Sequence, residues 1–404
     1  MRSTIARLVS IAAALLALHA AQGAAAEAPS RGSSIHRAVF AEGRLWLLDT
    51  GGRLSSLAEG GERSDVPTPD PVMELLTQDQ RVVIVTCPEQ SCSSAPVARW
   101  IVRRRVGDDW ETVADIATKG EQFRAATSTM LLTDSRMIDL AGGALAETAL
   151  TSRASDPITE RPKPQAGEHF RFGGSWQLTG SGTIDLTEGM PWQAPARSPL
   201  VRPKPLRSLP VAAVLVTPRH VFVGYNAGEW GGGLQRIDRT TGVVSDIDDV
   251  EGDLCGGKLN PACDPVNGLA VIPWKQDCIA VAVGLIHMLA HGRIVEVCDR
   301  AVHLLYSHEI QERLSTADGR PGSMWTYTSA FFGLQQTGEE LLAVGHDGLY
   351  QIGRGDLVRQ IPLPRFRPAD GLAVSFDMPG LVLVLTTANR RFSLSGSTPM
   401  LLPR

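Results

Sequence analysis

Three oxygen-bearing side chains stand where a hard cation would find ligands. Glu229 sits in Gly228-Glu229-Trp230-Gly231-Gly232-Gly233, whose glycines let backbone approach a ligand closely. Asn267 opens Asn267-Gly268-Leu269-Ala270-Val271, and Asp370 opens the near-copy Asp370-Gly371-Leu372-Ala373-Val374, 103 residues later. Two carboxylates and an amide oxygen suit a divalent cation, Ca²⁺ before softer ions. An ion so held would polarise an ester or lactone carbonyl and activate a bound water, which is hydrolase chemistry. The competing reading is conformational: Asn and Asp ahead of glycine bond their own backbone and fix turns. The two readings differ in whether the three groups converge.

No other catalytic pattern competes. There is no G-x-S-x-G elbow, P-loop or G-x-G-x-x-G run, so catalytic residues cannot be named from motifs. His287-Met288-Leu289-Ala290-His291 has the spacing of a helical metal pair, but it falls at a β-turn, and His308-Glu309 lacks the second His of a zinc-protease motif. Asp248, Asp249, Glu251, Asp253 and Asp264 form an acidic loop without D-x-D-x-D-G spacing, which reads as a solvated loop. Trp192, Trp230 and Trp325 stand in loops rich in Gly, Pro or Thr and are candidates for contact with a partner or sugar.

Six cysteines group by proximity: Cys87 with Cys92, Cys255 with Cys263 in one Gly/Asn/Pro loop, and Cys278 with Cys298, which lie equidistant from Met288. Fifteen connectivities are open to six cysteines, and nearest-neighbour pairing is the one expected. Such pairing belongs to an oxidising compartment. The first residues agree: a basic start, an apolar run over 8–21 and Ala24-Ala25-Ala26 read as a signal peptide cleaved near residue 26, too short to span a bilayer. With no cysteine near that site, lipid anchoring is not expected. The mature chain, 27–404, is expected in the periplasm or outside the cell, without a transmembrane segment and as a monomer.

The elements that must position these residues are strands. Val223-Gly224, Val283-Gly284 and Val344-Gly345 each close an apolar run ahead of a turn, at steps of 60 and 61 residues. Self-similarity at such a period, carried by strands, predicts a β-propeller. The runs 211–217, 220–225, 234–238 and 243–247 make one four-stranded antiparallel blade; 266–306, 327–362 and the segment from 370 onward repeat it. Length suits seven blades, with six to eight open, interrupted by a Pro-rich loop near 191–210 and an insertion near 308–326. Within that insertion 308–314 reads as a short helical turn, and the run near 35–41 is expected to close the ring by pairing with strands near the C-terminus.

His346-Asp347-Gly348-Leu349-Tyr350-Gln351-Ile352 resembles the strand-turn-strand of sensor-type propeller repeats. Ile237-Asp238-Arg239-Thr240-Thr241-Gly242 is similar to the D-x-x-T-G turn of quinoprotein-type blades, but Ser245 and Asp246 stand where that family's docking tryptophan is expected, so a quinone cofactor is not implied. The Glu229, Asn267 and Asp370 set resembles the central metal site of regucalcin and lactonase propellers. Together these resemblances imply a bacterial exported propeller, with Ca²⁺ at its axis only if the last holds.

A formal charge of −4, with five lysines in 404 residues, gives no basic field for nucleic acid or anionic lipid. The function expected is therefore a binding or scaffolding module that holds a protein or small-molecule ligand on one loop face. The alternative is a metal-dependent hydrolase, lactonase- or esterase-like, at the axial channel.

Overall fold

The computed structural model describes residues 35–61, 63–88, 97–141, 145–152, 205–252, 255–287, 289–315, 321–355, 357–362, 372–378, 380–386 and 400–403, with four strands between 169 and 193. All of these strands but one short parallel pair run antiparallel to their neighbours. Seven sheets follow in chain order: A (35–66), B (72–117), C (123–149), D (211–247), E (266–306), F (331–362) and G (372–403). Six sheets have four strands, one of them the sheet at 169–193; sheet D has five, Thr151–Ser152 adding a parallel edge strand, and three strands of G are described. Among the described residues, four-stranded sheets thus number six, where seven equal blades were expected.

Each sheet packs one face on its predecessor and the other on its successor. The second strand of E, Cys278–His287, shows why: Ile279, Val281 and Val283 face sheet D, while Ala280 and Ala282 face Phe331 and Leu334 of F. A strand buried on both faces must be apolar at every position, and this one is from Cys278 to Gly284, where every residue is buried. The same stacking joins A to B around Trp46, B to C around Trp100, C to D around Tyr225 and F to G around Val344. Leu383 of G meets Ala38 and Leu47 of A, which closes the β-propeller ring.

Two expectations are corrected. Ile35–Ala41 pairs with Arg44–Asp49 of its own sheet, so among the described residues the ring closes by side-chain packing and not by strand exchange. Residues 309–315 are not helical. Glu309–Ser315 pairs with Pro321–Thr328 as a two-stranded arm inserted between E and F, because its open pattern of charged and apolar residues buries no helical stripe.

Cys255–Cys263 and Cys278–Cys298 are disulfides, the second joining residues already in cross-strand register. Cys87 is also disulfide-bonded, and Cys92 lies outside the described residues. No helix among the described residues is long and apolar enough to cross a membrane.

First strands of successive sheets touch one another, so they line the axis. In a four-stranded meander that starts at the axis, the turn between second and third strands shares a face with the linker to the next sheet. That face carries the turns 227–231, 287–289 and 346–347, the linkers 248–265 and 307–330, and the arm.

Candidate functional site

Asn267 is the second residue of the first strand of E, Val266–Val271, where three sheets meet. Its Nδ2 donates to the carbonyls of Gly284 (2.7 Å) and Phe331 (2.9 Å), and its Oδ1 accepts from the Asn226 amide. Asn226 Oδ1 in turn accepts the Gly228 N–H (2.8 Å), which opens the short 3₁₀ turn Gly228–Trp230. Asn267 is therefore occupied in joining D, E and F. Glu229, on that turn, puts Oε2 3.3 Å from Nδ1 of His287. Asp370 lies outside the described residues. Among the described residues the one convergence of three His, Cys, Asp or Glu ligand atoms is Cys278, Glu296 and Cys298, where the sulfurs are spent in a disulfide and Glu296 takes Lys275 Nζ at 2.6 Å.

The third strand of E, Leu289–Cys298, brings a second carboxylate into use. Asp264 is 1% exposed. Its Oδ2 accepts from the Asn260 N–H (2.6 Å) and from the Arg293 guanidinium, while buried Oδ1 has no hydrogen-bond donor and faces His291 Nε2 at 3.7 Å. Burial pushes the Asp264 carboxyl up against the pull of Arg293 and His291, and burial holds the His291 imidazole below the ordinary histidine range, with Asp264 resisting and the Arg293 charge adding to the depression. The loop expected to be merely solvated thus folds one acid inward, under the Cys255–Cys263 bridge.

The densest polar cluster was not visible in the sequence. It centres on Asp347, in the turn between the second and third strands of F. Oδ1 accepts from the Ser329 hydroxyl, and Oδ2 accepts from Tyr350 Oη (2.7 Å) and Gln360 Nε2 (3.2 Å). His308 Nε2 stands 3.6 Å from Oδ2, and His346 Nδ1 3.9 Å from Oδ1. His346 Nδ1 accepts the Ala330 N–H at 3.1 Å, so its proton resides on Nε2. Burial holds that imidazole below the ordinary range against the pull of Asp347, and burial with Asp347 pushes the Tyr350 phenol up.

Ser329, His346 and Asp347 are the residue types of a hydrolytic triad, but they are not wired as one. Ser329 is fully buried, its hydroxyl donates to the carboxylate, and the imidazole lone pair that would serve as base is taken by a backbone N–H. The cluster is architectural. It fixes the base of the arm, whose far part exposes Met324 (53%) and Trp325 (45%). Trp230, at 77%, is exposed on the same face; of Trp192 only the strand Trp192–Gln193 is described. A cavity of about 270 Å³ on sheet D, lined by His220, Arg236, Asp238, Thr241, Val243 and Ser245, opens at the other end of the strands, and Arg236 there already pairs with Asp299 at 2.8 Å.

Compared with known proteins, the chain matches no family model, and no curated protein resembles it in sequence. Among solved structures it is similar to Saccharomyces cerevisiae Sqt1 at 10% identity and a TM-score of 0.41, covering 92% of this chain and 96% of that one. It is also similar to the Cps50 (Swd1) β-propeller domain of Myceliophteria thermophila, at 12% and 0.41 over 92% and 98%. BamB from Moraxella catarrhalis follows at 10% and 0.34 over 91% and 96%. These identities transfer no function, and the fold stands on the register and packing described above.

Proposed function

We propose that this chain is an exported propeller of seven blades, A to G, that binds a protein partner on the face carrying the arm. The observation that supports it is the exposure of Trp230, Met324 and Trp325 on that one face, two of them on an inserted arm with its own anchor. Large aromatic side chains held on short rigid elements are the residues that dominate protein interfaces. Export is supported by the signal-like first 26 residues together with the disulfides.

A photo-crosslinking residue at 230 or 325, introduced in the native host, should give a discrete adduct. The same residue at exposed Val271, at the other end of the strands, should give none. Absence of adducts from 230 and 325, or equal adducts from 271, would sink the reading. A metal-dependent hydrolase at the axis would use Asn267 Oδ1, the atom that accepts from the Asn226 amide, and no observed contact favours that over partner binding.

A further inference from the structure

The arm has an open edge. Glu309–Ser315 is hydrogen-bonded to Pro321–Thr328 on one side and, among the described residues, to no strand on the other. Soluble proteins usually blunt such an edge with charged side chains, Pro, bulges or a covering element, so that a second chain does not add to it. Here one face of the strand carries one charge of each sign: Glu309, Gln311 and Arg313 share it, exposed to solvent, and Arg313 has no ion-pair partner among the described residues.

We infer that two copies of this chain associate through this edge, their 309–313 segments antiparallel about a two-fold axis at Gln311. That register sets Glu309 of each copy opposite Arg313 of the other, with Gln311 opposite Gln311. Two identical Glu–Arg pairs form in one step, as an isologous contact requires. On the opposite face Ile310 meets the methylenes of Glu312, whose carboxylate is already held by Tyr327 Oη on its own arm at 2.8 Å. Shifting the register by one residue sets Arg313 against Ile310 and loses both pairs, so the charge order selects a single alignment. The two arms become one four-stranded sheet, which gives the hairpin the neighbours that an isolated pair of strands lacks in water. Five residue pairs make a small interface, so the dimer is weak and concentration-dependent, in place of the monomer expected from the sequence. This inference does not depend on partner binding at Trp230 and Trp325.

Sedimentation velocity over a concentration series of the oxidised mature chain tests it. Self-association should appear at the upper concentrations. Glu309→Arg or Arg313→Glu alone sets like charges opposite each other twice per dimer and should weaken association by about tenfold or more. The double variant Glu309→Arg with Arg313→Glu restores opposite signs and should return to within about threefold of the parent. Monomer at every concentration, indifference to the single changes, or a double variant no better than the singles would each overturn the inference.

Discussion

His308 and Ser329 stand at the two ends of the inserted arm, and both reach the carboxylate of Asp347 on sheet F: Ser329 donates its hydroxyl to Oδ1, and His308 Nε2 lies 3.6 Å from Oδ2. The Ser329 N–H also donates to the His308 carbonyl at 2.8 Å, so the base of the arm is closed on itself before it is fastened to the ring. One acid thereby sets the direction in which Met324 and Trp325 are presented.

Asp347→Ala should loosen the arm before it loosens the ring. The change leaves the Ser329 and Tyr350 hydroxyls without their acceptor, and each buried orphan costs about 1–3 kcal/mol. Amide hydrogen exchange should show lost protection over 309–315 and 321–328, while the second strand of E keeps its own. Equal loss in both places would mean that Asp347 supports the whole ring and not the arm.

Acid should destabilise this fold from about the ordinary histidine range downward. His220, His291 and His346 are all held below their usual values by burial. A folded value below the unfolded one means that the unfolded chain takes up protons first. Stability is therefore full above about pH 6.5 and is lost as pH falls from there through the folded values. Asp238, Asp299 and Glu147, lowered by their hydrogen bonds and cationic neighbours, extend the loss into the carboxylate range. Asp264, raised by burial, opposes it there. Urea midpoints at pH 7.5 and 5.5 should differ in wild type, and His346→Gln, which keeps an acceptor for Ala330, should narrow the gap. A midpoint that rises on acidification would contradict this sign.

Arg293→Met tests the inward-turned acid. The guanidinium pairs with Asp264 and donates through Nε to the Lys258 carbonyl at 2.8 Å. Removing it strands a buried carboxylate, at a cost of about 3–5 kcal/mol. Asp264→Asn in the same chain removes the stranded charge and should recover part of that loss, read as the denaturant midpoint. A double variant as unstable as the single would place the cost in packing and not in the charge.

The ring was legible in the sequence because its repeats are packing constraints. In the recurrent Val-Gly, a Cβ on Gly224 would meet Val266 Cγ1 at 2.5 Å, and one on Gly284 would meet the Phe331 N at 2.4 Å. Each marks the place where the next sheet's first strand comes in. Gly268, inside the repeated Asn-Gly-Leu-Ala-Val, would meet the Leu334 N at 2.7 Å as first strands abut around the axis. The cross-strand bridge of Cys278 and Cys298 followed from their spacing for a similar local reason. The Asp347 cluster was hidden because its members, at 308, 329, 346–350 and 360, come from four separate segments, and no spacing rule connects them. Asn267 was seen, but its role was not: its three partners come from three sheets, and the sequence showed only an Asn before Gly.

Gly292→Ala should be among the most damaging single changes outside the apolar core. Gly292 pairs across the hairpin with Gly284, and its N–H donates to Thr328 Oγ1 at 2.9 Å, where the hairpin of E lies against the end of the arm. An added Cβ would sit 2.4 Å from the Val283 carbonyl oxygen and 2.7 Å from that of Ser329, both backbone atoms that cannot turn aside. Overpacking of this kind costs about 3 kcal/mol. Gly338→Ala is the control: its φ of +59° strains any L residue, but nothing lies within 4 Å, so about 1 kcal/mol is expected. Because the Gly292 clash falls on Ser329, the alanine variant should also raise exchange in the arm, a response that Gly338→Ala should lack. A Gly292→Ala protein as stable as the Gly338→Ala control would show that hairpin and arm are not in the contact described.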